Sequence, residues 1–296
     1  MAIYNREIIK YITEDRNYNR LEDILARETR EFYALPWKNR WLDFEKKVRT
    51  QSHAEAVLAK AKEDADLFLG AEYGVELPTL ELHPRFSIKG YQLNSNANLF
   101  SLSLIAGGLF ILYNGDIGDG NAFAAGGIVA ALGTAGGIIH LARKIKLNSP
   151  LYLPKENKII CVTRKEPDAY CDMAHEYSHA VFARSIGGGK ECMFANEGFA
   201  EGVSTLLSKK DNIKTGLFNS VELLTMAKHY AKKMRKGKKD YFALAIEKLY
   251  AGEETSYWEE MVMRSSGYAV FKLAEEKYGK DIYREFIKGN TGILLE

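Results

Sequence analysis

The chain has 296 residues and a formal net charge of only +2, a balance that argues against a nucleic-acid partner. Its length allows two domains, each with its own core. The three cysteines form no C-x-x-C pair, and their odd number predicts reduced thiols facing the cytosol. No apolar stretch follows a basic start, which predicts that no signal peptide is cleaved.

Residues 1–95 are predicted to form a helical N-terminal domain. Charge-rich amphipathic periods recur at residues 7–11, 21–32, 41–48 and 53–70. No residue type in this region points to chemistry. A regulatory, substrate-recruiting or structural role therefore remains open for it.

Two apolar runs without formal charge follow, at residues 99–113 and 122–142. The second has 21 residues, enough to span a bilayer core of about 30 Å. The first has 15 residues and needs flanking residues or local thinning of the bilayer. Gly133 and Gly137 form a G-x-x-x-G pattern that lets two helices approach closely in lipid. Residues 96–146 are therefore predicted to form a two-helix transmembrane hairpin.

Basic residues flank this hairpin on both sides, whereas the turn between the runs carries only Asp116 and Asp119. The flanking residues are Arg85, Lys89, Arg143, Lys144 and Lys146. The positive-inside rule then places both termini in the cytoplasm. The alternative is a soluble cytoplasmic protein whose glycine-rich hairpin is buried or acts as a lid.

The strongest chemical signal is the H-E-x-x-H motif at residues 175–179. His175 and His179 lie one turn apart on one helix face, so both imidazoles can reach one metal ion. Glu176 lies on a neighbouring edge, where it can activate a water molecule bound to that ion. The flanking residues are apolar over a wide arc, which predicts that the helix is buried.

A second motif, N-E-x-x-x-E at residues 196–201, supplies the third ligand that catalytic zinc requires. Glu197 follows His179 after seventeen intervening residues. This gap allows the first helix to stop at the three glycines 187–189 and a second helix to begin.

Two further residues of this motif fit the surroundings of the metal. Glu201 lies one turn after Glu197. Its carboxylate can accept a hydrogen bond from the ring N–H of one histidine, on the nitrogen that does not bind the metal. Asn196 can hold the other histidine, or simply cap the second helix. The two motifs in register favour a metal site over a helix face that is merely polar.

Together these motifs resemble the gluzincin arrangement of thermolysin-like peptidases and zinc aminopeptidases, with N-E-x-x-x-E similar to the minigluzincin version. The resemblance extends over residues 150–290. Residues 151–162 look like the hairpin of the small sheet above the active-site helix, and residues 267–279 look like the helix after the site. It implies an α+β, mainly helical, zincin-like domain at residues 147–296. It also implies that the last strand of the hairpin pairs with an extended substrate.

The resemblance further implies one Zn²⁺ per chain, bound by His175, His179 and Glu197. Glu176 would be the general base and then pass the proton to the leaving amine. The implied reaction is hydrolysis of a peptide or protein by zinc-bound water, whose pKa falls to about 7. The chain has no G-x-M-E-N element of the kind that reads a substrate N-terminus, which favours an endopeptidase over an aminopeptidase.

The chain departs from the family at the residue that stabilises the oxyanion, the negatively charged oxygen formed from the scissile carbonyl. Many relatives place a tyrosine one turn before the downstream glycine, and this chain has Arg264, or the serine next to it, at that position. Tyr257, Arg264 and Tyr268 are the candidates to replace it. The missing tyrosine keeps open a catalytically inactive zinc-binding scaffold or interaction module, although the intact Glu176 favours an enzyme. The sequence thus predicts a membrane-anchored zinc metallopeptidase with its site on the cytoplasmic side.

Overall fold

The computed structural model describes residues 5–34, 47–83, 150–162, 164–187, 189–211, 213–237, 241–251 and 257–295. Residues 1–83 and 150–296 belong to one compact unit, and residues 84–149 to a second. The predicted membrane hairpin and the predicted domain boundaries on either side of it lie outside the described residues. Within the described ranges, no helix combines the length and the apolar character needed to cross a bilayer.

The described part is mainly helical. Its N-terminal helices are α1 (Asn5–Thr13), α2 (Asp15–Ala34) and α3 (Gln51–Leu69). These confirm the helical periods at residues 7–11, 21–32 and 53–70. The fourth predicted period, at residues 41–48, falls almost wholly outside the described residues, and Lys47 at its end makes a β-bridge with Lys165.

Further helices lie in the described ranges after residue 150. They are α4 (Glu166–Ser185), α5 (Met193–Lys210), α6 (Lys214–Arg235), α7 (Tyr241–Ala251), α8 (Tyr257–Tyr278) and α9 (Ile282–Ile287). Short 3-10 turns are found at Ala71–Tyr73, Lys190–Cys192 and Thr291–Leu295.

A small sheet accompanies the helices, with the strand order β1 (Thr79–His83), β3 (Lys158–Val162), β2 (Leu151–Leu153). β1 runs parallel to β3, and β2 runs antiparallel to it. The prediction that residues 1–95 are helical is wrong at β1. This strand is stabilised by pairing with a distant part of the chain, which no local periodicity reveals.

The central position of β3 corrects a second expectation. The family resemblance implies that the last strand of the hairpin pairs with substrate, but β1 and β2 occupy both edges of that strand. Among the described strands, β2 is the strand of the hairpin that has an unpaired edge.

Aromatic rings join the helices of the core. Phe199 of α5 lies 5.9 Å from Phe182 of α4 and 6.0 Å from Phe271 of α8, measured between ring centroids. Phe271 also stacks on Tyr283 of α9 at 5.3 Å. All four rings are fully buried. Offset and edge-to-face contacts of this kind stabilise a core beyond the burial of their area.

Helices α5 and α8 touch through their backbones. A Cβ atom on Gly198 would lie 2.2 Å from the carbonyl carbon of Gly267, and one on Gly267 would lie 1.8 Å from the carbonyl oxygen of Phe194. Both distances are far inside van der Waals contact. Only glycine therefore permits this crossing.

A buried charged cluster fastens α2 to the later helices. The carboxylate of Glu28, which is 1% exposed, lies 2.7 Å from the Lys209 ammonium and 3.2 Å from that of Lys272. Ser220 donates a hydrogen bond to the same carboxylate at 3.0 Å. Burial raises the pKa of Glu28, but the two ammonium groups outweigh it and hold the pKa below the usual 4.5.

We predict that Gly267→Ala lowers stability by more than about 3 kcal/mol, because the new methyl group meets backbone that cannot move aside like a side chain. Thermal unfolding of the purified protein measures this loss. Gly292→Ala is the matched control, since an added Cβ there has no atom within 4 Å. Equal melting temperatures for the two variants would contradict the close crossing.

We predict that Glu28→Gln lowers stability by about 3 kcal/mol at pH 7, because the buried Lys272 ammonium and the partly buried Lys209 ammonium lose their shared carboxylate. Since the pKa of Glu28 is lower in the folded protein, its contribution is present above pH 4.5 and is lost as the pH falls through the folded-state pKa. The difference in melting temperature between wild type and variant should therefore shrink in acid. Glu31→Gln, which removes a 48% exposed partner of Lys209, should have little effect.

Candidate metal centre

The two histidines of the first motif converge on one face of α4. Pro167 in the first turn and the acidic Glu166 favour the start of this helix, and it ends at Ser185, just before Gly187 with its φ of 90°. His175 and His179 meet edge to face with ring centroids 4.6 Å apart. Their Nε2 atoms lie 3.0 Å apart.

Helix α5 brings Glu197 against this pair. Its two carboxylate oxygens lie 3.7 Å from Nε2 of His175 and 3.8 Å from Nε2 of His179. Donor atoms held by a tetrahedral ion at zinc–ligand distances lie about 3.4 Å apart, so these three side chains could together hold one metal ion of that kind. Within the described ranges, this is the one group of three or more His, Cys, Asp or Glu side chains that could hold a metal.

The outer nitrogens of both histidines face polar side chains of α5. Nδ1–H of His179 donates to the Asn196 amide oxygen at 2.9 Å, which leaves the Nε2 lone pair directed at the centre. Nδ1 of His175 lies 3.5 Å from the Glu201 carboxylate, at the outer limit of a hydrogen bond. The structure thus brings Asn196 and Glu201 together with the three candidate ligands.

The two histidines differ in their protonation. Burial, the neighbouring His179 and Arg264 all lower the pKa of His175 far below its usual value. Burial also lowers the pKa of His179, but the carboxylates of Glu197 and Glu176 outweigh this and raise it. His175 is therefore neutral at pH 7, the form that binds a metal.

Glu176 is buried beside the two histidines. Its carboxylate accepts a hydrogen bond of 2.7 Å from the backbone N–H of Tyr152 in β2. The pKa of Glu176 is raised to about 7: burial is the largest cause and Glu197 adds to it, while His179 acts in the opposite direction. A carboxyl group with this pKa can accept and release a proton near neutral pH.

The hydrogen bond from Tyr152 shows that the unpaired edge of β2 faces Glu176. Tyr152 lies opposite Ile159 of β3, while its N–H is directed at Glu176. The neighbouring Leu151 is 51% exposed. The sequence analysis missed this contact. Every residue except proline has the same backbone N–H, so no residue type marks the one that donates to Glu176.

Arg264 of α8 joins the site through two carboxylates. Its guanidinium donates to Glu201, and its Nε lies 3.8 Å from Glu197. Burial lowers the pKa of Arg264, but the charges of Glu201 and Glu197 outweigh it, so Arg264 stays charged. Glu197 and Glu201 outnumber this one guanidinium, and Glu176 adds further negative charge when it is ionised, so the site favours a bound cation.

The other two candidates for stabilising an oxyanion are placed differently. Tyr268 is fully buried, and its hydroxyl donates to Ser220 at 2.7 Å, within the cluster around Glu28. The side chain of Tyr257 lies outside the described part of the chain. Of the two candidates whose side chains are described, Arg264 is the one that contacts the three candidate metal ligands, through Glu197.

The cysteines near the site are placed as buried thiols. Cys171 lies one turn before His175, and its sulfur is 3.0 Å from the Ser208 hydroxyl. Burial raises the pKa of the Cys171 thiol to about 12, which disfavours the thiolate that a metal would need.

Comparisons with protein-family models, with curated proteins and with solved structures each found no match to this chain. The case for a metal centre therefore rests on the residues and their geometry.

If the site holds a metal ion, we predict that Asn196→Ala weakens its binding by about 10- to 100-fold, because His179 loses the acceptor that fixes its tautomer. Competition with a chromophoric chelator measures the affinity. Asn290→Ala makes the same change at an exposed position and should leave the affinity unaltered. An unchanged affinity in Asn196→Ala would show that the amide does not orient the histidine.

Proposed function

We propose that this protein is a zinc-dependent metalloendopeptidase of the gluzincin type, with His175, His179 and Glu197 as the ligands of one Zn²⁺. The observation that carries the proposal is the convergence of two Nε2 atoms and a carboxylate at distances that suit one tetrahedral ion. When bound, zinc supplies a Lewis acid that polarises the scissile carbonyl and lowers the pKa of its water to about 7.

Glu176 is the proposed general base. It follows His175 directly on α4, so its carboxylate lies beside the metal ligands. Its pKa of about 7 suits transfer of a proton from the attacking water to the leaving amine.

The open edge of β2 is the proposed place for the substrate backbone. An extended peptide can pair with an exposed strand through main-chain hydrogen bonds, largely independent of its sequence. The hydrogen bond from the Tyr152 N–H to Glu176 brings that edge next to the proposed base, and a peptide that paired there would compete with Glu176 for this N–H. A peptide paired there would present a backbone carbonyl to the metal centre.

Arg264 is the proposed partner of the negative charge that develops on the scissile carbonyl oxygen. Its side chain is 38% exposed and contacts both Glu197 and Glu201. A fixed cation at this place can stabilise such charge without reorganising. It would take the role of the tyrosine that the family resemblance leads one to expect.

The second candidate function is a zinc-binding scaffold or interaction module without catalysis. The pairing of Arg264 with Glu201 favours it, because a guanidinium held by a carboxylate has fewer donors left for substrate. The buried carboxylate of Glu176 favours the enzyme, since a structural zinc site needs no general base.

Membrane attachment is a further part of the proposal. It depends on the apolar runs at residues 99–113 and 122–142 and on the charges that flank them. This arrangement would hold the site at the cytoplasmic face of a bilayer.

We predict that Glu176→Gln binds one zinc ion per chain but cleaves casein at least about 100-fold more slowly than wild type, because the general base is lost. Metal content and proteolysis are measured on the same detergent-purified samples. Glu166→Gln changes an exposed carboxylate on the same helix and should keep its activity.

Two other outcomes would change the proposal. Retained cleavage by Glu176→Gln would remove Glu176 from the role of base. Zinc in both proteins without cleavage by wild type would favour the scaffold.

A further inference from the structure

The third proposed ligand lies near the start of a helix that does not cap itself. Glu197 is in the second turn of α5, which begins at Met193. The first N–H groups of a helix have no partners within it and must find them elsewhere. The residue before α5, Cys192, makes no capping hydrogen bond with its side chain.

Asn5, in the first turn of α1, supplies that cap from a distant part of the chain. Its amide oxygen accepts a hydrogen bond of 3.2 Å from the N–H of Phe194, the second residue of α5. Its amide nitrogen donates to the carbonyl of Lys190 at 2.8 Å. One side chain thus holds both the 3-10 turn before α5 and the first turn of α5.

The hydrogen bond to Phe194 is buried, whereas Lys190, the other partner of Asn5, is an exposed residue. Asn5 is 1% exposed and Phe194 is fully buried, so water cannot readily replace the lost partner. Ile8 and Ile12 of the same helix are fully buried in the core and fix α1 in place. The start of α5 is therefore set by the docking of α1.

We propose that Asn5 is a positioning residue for the metal centre, acting through the first turns of α5 on Asn196 and Glu197. This inference rests on the proposed zinc site. Asn196 orients His179, and Glu197 completes the ligand set, so a shift in the start of α5 misplaces both. Zinc binding and the docking of α1 are then coupled, and by linkage each strengthens the other.

The first test is the zinc affinity of Asn5→Ala, measured by chelator competition at neutral pH. We expect a loss of about tenfold, within the range for residues that orient metal ligands. Asn5→Asp keeps an acceptor for the Phe194 N–H and should recover part of the affinity.

A matched control separates positioning from general loss of stability. Ile12→Val trims a buried side chain of α1 and leaves both hydrogen bonds of Asn5 in place. It should lower the melting temperature but keep zinc affinity within about twofold. Equal zinc affinities for Asn5→Ala, Ile12→Val and wild type would overturn the proposal.

Hydrogen exchange on the wild-type protein gives a readout that needs no variant to fold. Adding zinc should slow amide exchange in residues 5–13 as well as in residues 193–197. Slowing at residues 193–197 alone would overturn the role of Asn5 and leave the metal site intact. A wild-type protein that binds no zinc would overturn the metal site, and this inference with it.

Discussion

The backbone contact between Gly198 of α5 and Gly267 of α8 is the constraint on which the candidate site depends. Since no side chain separates the two helices there, Arg264, nearly one turn before Gly267, reaches the carboxylates on either side of Gly198. Those carboxylates belong to Glu197 and Glu201. A larger residue at the crossing would move the guanidinium away from both and leave the buried Glu201 and the partly buried Glu197 without their cation.

The candidate ligands are positioned by neighbouring side chains, and those side chains are in turn positioned by contacts further from the site. Asn196 orients His179, and Arg264 fixes Glu201, which faces His175. Further out, Asn5 holds the start of α5, and the cluster around Glu28 fastens α2 to α5 and α8. This is why the N-terminal helices and the helices of the site form one core. Positioned side chains of this kind reduce the reorganisation that metal binding and catalysis require.

Features that depend on local spacing could be predicted from the sequence. Residues four apart on a helix share a face, so spacing alone was enough to place the pairs His175/His179 and Glu197/Glu201. Features that depend on long-range contacts could not be placed in this way. The parallel pairing of β1 with β3, the backbone donor of Tyr152 and the cap from Asn5 join segments far apart in the chain. Each is decided by packing, which a single sequence does not display.

X-ray absorption spectroscopy at the zinc edge of the metal-loaded protein tests the central claim most directly. We expect one zinc per chain, with two histidine nitrogens at about 2.0–2.1 Å and the carboxylate at about 2.0–2.2 Å. A sulfur neighbour at about 2.3 Å would assign the metal to cysteine instead of to His175, His179 and Glu197. Failure to take up one zinc per chain would contradict the metal centre itself.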